Sequence, residues 1–135
     1  MRFLVICLMV LFGAAFATVP LGAAVAPEVR QGLTGAYFIA FVSPSCLNEQ
    51  TRVQHWGALE GANVLRVDSK AVIQPVLPGG WRFLKGEAAA KLTTELKVRT
   101  LPTTVMVDRE NRIRAVSEGV LEKKWVLEKL ADYGQ

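Results

Sequence analysis

Residues 36–46 read AYFIAFVSPSC. From Ala36 through Val42 the side chains are apolar without interruption, and aromatic and branched residues dominate. That pattern predicts a strand covered on both faces in the middle of a sheet, because a strand with one wet face would alternate. Ser43, Pro44 and Ser45 then break the strand, and either serine can cap a helix beginning near Cys46. On that helix Val53, Trp56 and Leu59 recur every three residues, and Gly61 marks its end. Residues 64–67 (VLRV) predict a second strand, parallel to the first because a helical crossover separates them.

Farther along the chain, residues 69–86 combine Pro75, Pro78, Gly79 and Gly80 with Val72, Ile73, Val76, Leu77, Trp81, Phe83 and Leu84. A loop so long and so apolar either packs on the domain or meets a partner. Residues 87–97 predict a helix with Ala88, Ala89, Leu92 and Leu96 at helical spacing. Residues 103–107 and 112–117 predict two strands joined by a hairpin-length turn across 108–111. A last helix over 121–133 places Val126, Leu127, Leu130 and Ala131 inward. The order predicts an α/β domain with a mixed four-stranded sheet and helices on both faces.

Toward the N-terminus, Met1 and Arg2 precede an apolar run over 3–12 and then small residues, the layout of a secretory signal peptide. Ala15 and Ala17 bracket an exit site, and later candidates occur within 23–26. The same stretch, extended to about Val25, would serve as an uncleaved membrane anchor. Three parts follow: a signal peptide or N-terminal anchor over 1–26, a polar linker over 27–35 (PEVRQGLTG), and the domain proper over 36–133. Either N-terminal reading puts the domain outside the cytoplasm, in a periplasm or otherwise exported. An inner-membrane attachment is then made through the N-terminal segment alone.

The net charge of +4, from 16 basic and 12 acidic side chains, is a mild excess without a basic run, so nucleic-acid binding is not indicated. His55 is the sole histidine, which removes the usual zinc constellations, and no metal or cofactor is expected. His55 itself is read as a surface or boundary residue, and Trp56 and Trp125 as core. The two cysteines are Cys7, inside the signal segment, and Cys46. A single cysteine in an exported domain directs attention to reactive or intermolecular chemistry.

Two motifs carry a resemblance to the thioredoxin-like superfamily. Residues 36–46 resemble, without a gap, the strand and loop that deliver the attacking cysteine in that family. Residues 98–113 (VRTLPTTVMVDRENRI) resemble its Val-Arg-x-x-Pro-Thr signature, followed by a strand, an Asp-led turn and the hairpin strand. The resemblance implies a cis bond between Leu101 and Pro102 facing Cys46. It also exposes a departure. Where the family carries Cys-x-x-Cys, this chain has Cys46-Leu47-Asn48-Glu49, with Glu49 at the resolving position. A shifted alignment makes Ser43-Pro44-Ser45-Cys46 the motif, with Ser43 in place of the attacking thiol. Ser43-x-x-Cys46 is also similar to the peroxiredoxin Thr/Ser-x-x-Cys loop, although that family's upstream proline is Ile39 here.

A cysteine at a helix start meets unpaired N–H groups and the positive dipole end, which pull its pKa below about 8.5, while a nearby Glu49 would oppose this. Its thiolate can attack a disulfide, and a protein thiol or a small-molecule thiol must then resolve the mixed disulfide. The competing reading is a non-catalytic binding or scaffold module of a bacterial envelope assembly, with Trp81 as a partner contact.

Overall fold

The computed structural model describes residues 18–134. The signal-peptide reading, Cys7 included, falls mostly on residues outside that range. Element order is β1 (Tyr37–Phe41), α1 (Glu49–Ala58), β2 (Val64–Asp68), β3 (Arg82–Lys85), α2 (Gly86–Glu95), β4 (Thr103–Val107), β5 (Ile113–Glu118) and α3 (Lys123–Tyr133). The strands form one five-stranded sheet in the order β3-β2-β1-β4-β5. β1 and β2 are parallel, as are β2 and β3, whereas β4 runs antiparallel to β1 and β5 antiparallel to β4.

β1 is buried along its whole length, and its alternate side chains feed two separate cores. Tyr37, Ile39 and Phe41 pack with Leu65, Val67, Val105, Val107, Leu92 and Leu96 on one face. Phe38 and Ala40 pack with Leu59, Val64, Met106, Leu121 and Val126 on the other. The period of two along a strand makes this division unavoidable once helices cover both faces. α2 supplies one cover through Ala89 and Leu92; α1 and α3 supply the other through Ala58 and Val126.

The sheet has one strand more than expected. β3 lies within the stretch read as a long loop, because its four residues sit just after Pro78, Gly79 and Gly80 and carry charges at both ends, Arg82 and Lys85. Such a short, charged segment is typical of a sheet edge and leaves no alternating pattern to read. The parallel pairing of β2 with β3 is closed by residues 69–81, which contain no helix.

Leu59, Trp56, Val126 and Leu130 pack inward as expected, and single positions on two helices depart. On α1 the buried side chains are His55 and Ala58, while Val53 is exposed. On α3 Val126 is buried, but Leu127 and Ala131 face outward. α1 ends at Ala58, before Gly61.

The described residues before β1 pack against the domain, both those of the expected linker over 27–35 and residues 18–26 ahead of it. Val19, Val25 and Leu33 enter the core, Ala24 bridges Arg112, and residues Pro27–Arg30 form a 3-10 turn. Arg30 ties the turn down by donating to the carbonyls of Arg109 and Gly35, both at 2.6 Å. Arg82 adds a hydrogen bond to the Gln31 carbonyl.

The hairpin between β4 and β5 follows from Asp108. Its Oδ1 accepts from the backbone N–H groups of Glu110 and Arg112, both at 2.9 Å, and its Oδ2 accepts from Arg114 Nε at 2.6 Å. Burial pushes this carboxyl up, but the Arg114 and backbone hydrogen bonds outweigh it and hold the pKa below its ordinary value. Asn111 takes the left-handed conformation the turn requires, with φ +63°.

Candidate functional site

The site lies where β1 ends and β4 begins. Phe41 is directly opposite Thr103, so the chain leaving β1 and the chain entering β4 meet at one end of the sheet. Val42 continues the β1 line by donating its N–H to the Val67 carbonyl at 2.9 Å. Residues 44–46 then form a turn closed by Cys46 N–H to the Ser43 carbonyl at 3.1 Å. In the chain entering β4, the Leu101–Pro102 peptide bond is cis, and Pro102 is buried with its carbonyl accepting from Gly119 N–H at 2.8 Å.

Cys46 is not at the helix start. Asn48 caps α1, its side chain accepting from Thr51 N–H at 2.9 Å, so Cys46 sits two residues before the cap. Neither serine caps the helix. Asn is a stronger cap than a residue committed to a turn, and the helix begins where a cap is available. Dipole effects fade beyond the first turn, which leaves less of the expected thiolate stabilisation to the helix.

A pair of hydroxyls lies at the sulfur instead. Ser43 is buried and donates to Cys46 Sγ at 3.2 Å, while Ser45 Oγ lies 3.0 Å from Ser43 Oγ. With the Ser43 proton on sulfur, Ser45 is the donor to Ser43, and each bond polarises the next. Cys46 is partly exposed and is disulfide-bonded in this structure, so reduction is what releases its thiol. Glu49 is turned to solvent and pairs loosely with Arg52 at 3.9 Å, which screens the charge expected to oppose a thiolate. Pro44 is exposed on the outer side of the same turn.

Behind Pro102 stands a polar network that sequence reasoning missed. Thr103 Oγ1 donates to the Thr100 carbonyl at 2.7 Å, Thr100 Oγ1 donates to Glu118 Oε2 at 2.7 Å, and the two hydroxyls are 3.1 Å apart. It locks the loop before β4 to the end of β5. Threonines flanking Leu101 and Pro102 were the available signal. Leu101 itself is half-buried and packs against the core.

The expectation for the imidazole changes. His55 is fully buried, with Nδ1 accepting from Leu121 N–H at 3.1 Å and its ring edge-on to Trp56 at 4.9 Å. Burial, with Arg66 adding a smaller push, lowers its pKa to about 4. It is a structural acceptor that joins α1 to the chain entering α3. Trp81 is half-buried, its indole N–H donating to the Ala62 carbonyl at 3.0 Å and its ring against Trp56 at 5.9 Å. With its polar tip satisfied inward, Trp81 anchors the loop, and the exposed apolar side chains lie upstream at Val72, Ile73 and Val76.

The chain's fold matches solved structures at probabilities of 1.00. The fold is thioredoxin-like. The exposed lipoprotein thioredoxin of Streptococcus pneumoniae aligns with a TM-score of 0.54 and 18% identity over 77% of this chain and 89% of its own. The N-terminal domain of PilB from N. meningitidis, in reduced form, aligns with a TM-score of 0.55 and 14% identity over 77% and 85%. A thiol-disulfide isomerase from Corynebacterium glutamicum aligns with a TM-score of 0.51 and 14% identity over 88% and 94%. Comparison with protein-family models and with curated proteins finds no match. Among the described residues, no helix of this thioredoxin-like chain is long and apolar enough to cross a membrane.

Proposed function

We propose that this chain is an exported thioredoxin-like protein that carries out thiol-disulfide exchange through Cys46. The observation that carries the reading is the Ser43 hydroxyl donating to Cys46 Sγ, within a partly exposed turn at the sheet end that also holds the Pro102 loop. A donor aimed at sulfur stabilises the thiolate, which is the nucleophile in exchange. In the forward step the Cys46 thiolate attacks a partner disulfide, forming one mixed disulfide and expelling the partner's other sulfur as thiolate. A thiol from glutathione or a partner protein then attacks the partner sulfur of the mixed disulfide. That returns the Cys46 thiolate and leaves a new disulfide between partner and thiol, one S–S bond forming as each breaks. In reverse, the Cys46 thiolate attacks the disulfide between partner and thiol, and the same two exchanges run backwards.

The N-terminal charge and apolar run support export to a periplasm or equivalent compartment, by a cleaved signal or with retention at the inner membrane. Trapping decides the function. Reduced protein incubated with glutathione disulfide should gain one glutathione at Cys46 by mass spectrometry, and Cys46→Ser should gain none. Failure of the wild type to form this adduct at any pH from 6 to 9 would sink the exchange reading. A non-catalytic binding module of an envelope assembly would then be favoured, on the exposed Val72, Ile73 and Val76.

A further inference from the structure

Arg66 stands in the middle of β2, where a buried strand would ordinarily carry an apolar side chain. Its guanidinium lies over the Trp56 ring at 4.5 Å and near the Phe83 ring at 5.7 Å. Among the described residues it makes no hydrogen bond or ion pair, and its Nε is enclosed with no acceptor. Burial pushes its pKa down; Asp68 opposes that push and Arg52 adds to it. An arginine whose ring contacts are satisfied and whose N–H groups are not leaves its donors to an incoming acceptor.

The surroundings indicate what that acceptor belongs to. Arg66 lines a cleft with Pro44, Lys70, Val72, Ile73 and Phe83, and Pro44 is in the same turn as Cys46. Val72 and Ile73 are 86% and 78% exposed, and Val76 nearby is fully so. Asp68 also lines the cleft, but its Oδ1 already accepts from Lys70 N–H at 3.0 Å. Lys70 and the neighbouring Lys85, which donates weakly to the Val72 carbonyl at 3.4 Å, leave the cleft net positive. Apolar walls and a cationic floor together match an apolar chain bearing an acid.

We propose that this cleft receives an extended segment of the protein whose sulfur exchanges at Cys46, a segment that sets a carboxylate against Arg66 and covers Val72 and Ile73 with apolar side chains. The assignment rests on the exchange reading for the identity of the partner. It deepens that reading by naming the substrate class: proteins with acidic and apolar residues flanking the reactive sulfur. Arg66 acts as a specificity residue that holds the partner and touches no reacting atom.

The test uses the full chain carrying Cys46→Ser and a short fluorescent peptide of valine, leucine and glutamate with blocked ends and no cysteine, so that binding is read without exchange. The expected result is binding at least about tenfold tighter than that of the same peptide with glutamine for glutamate, as for a charge-assisted hydrogen bond. Arg66→Met, which keeps the apolar stem between Trp56 and Phe83, should erase that difference. Val72→Ser with Ile73→Ser, both at exposed positions, should weaken both peptides. Equal affinity of the acid and amide peptides for the parent protein overturns the assignment, whether or not Arg66→Met folds. Indifference of both peptides to the Val72 and Ile73 changes also overturns it. The glutathione adduct at Cys46 reports on the exchange reading separately, so the failure of one is told from the failure of the other.

Discussion

Ser43 Oγ donates to Cys46 Sγ at 3.2 Å, and the donor is itself buried at the end of the central strand. Ser43→Ala removes one hydrogen bond from the thiolate and little volume. The Cys46 thiol pKa should therefore rise by about one unit, as expected for loss of a hydrogen bond to a charged group. Alkylation rate against pH measures it on reduced protein, and an unchanged midpoint would remove the hydroxyl from the mechanism.

Turnover should depend on an external thiol, because Ser43 and Glu49, three positions to either side of Cys46, stand where a Cys-x-x-Cys partner would. Glutathione or a partner dithiol should raise the reduction of insulin disulfides well above the level of the protein alone. Glu49→Cys should raise it further if Cys46 is the attacking position, and Ser43→Cys should do so if Cys46 is the resolving one. The insulin turbidity rates of the two variants decide the register.

His55 makes stability depend on pH. Its folded pKa of about 4 lies below the unfolded value near 6.5, so between those values the unfolded chain binds more protons. Stability should be complete above about pH 6.5 and fall as pH drops toward 4, by an amount on the order of 3 kcal/mol. His55→Asn keeps an acceptor for Leu121 N–H but does not titrate, and should flatten that window. Urea unfolding at pH 7 and pH 5 on both proteins checks it.

Thr100 is buried and ties the Pro102 loop to Glu118. Thr100→Val preserves shape and removes the hydroxyl, so it should cost about 1 to 2 kcal/mol in chemical denaturation. Because the loop it holds lies at the same sheet end as the Cys46 turn, the rate of glutathione adduct formation should fall as well.

Residues 18–26 hold Val19 and Val25 in the core and bridge Ala24 to Arg112. A chain beginning at Thr18 keeps this segment and serves as the reference. One beginning at Pro27 should lose about 3 kcal/mol or more, from two buried valines and an exposed end of β5. Thermal unfolding of the two truncations measures the difference, and equal melting temperatures would show the segment to be dispensable.

Several features are legible in the sequence. The unbroken apolar run over 36–42 identified the central strand because burial on both faces demands apolar residues at every position. The Asp108 turn was legible because its hydrogen bonds are local, spanning at most six residues. β3 was not, since four residues with charged ends acquire strand character only by pairing with β2. His55 was misplaced because its acceptor role depends on Leu121, sixty-six positions away.

The site divides in the same way. Sequence by itself determined that one cysteine follows the central strand, that a Thr-Leu-Pro-Thr segment opens β4, and that no second cysteine stands at Cys-x-x-Cys spacing. These are matters of order along the chain. Tertiary structure alone decided that Asn48 rather than a serine caps α1, that Ser43 points at sulfur, and that Arg66 lies between Trp56 and Phe83. Each depends on which side chains converge when the strands pair and the helices cover them. Convergence in space is set by packing among distant residues, and local pattern carries no record of it.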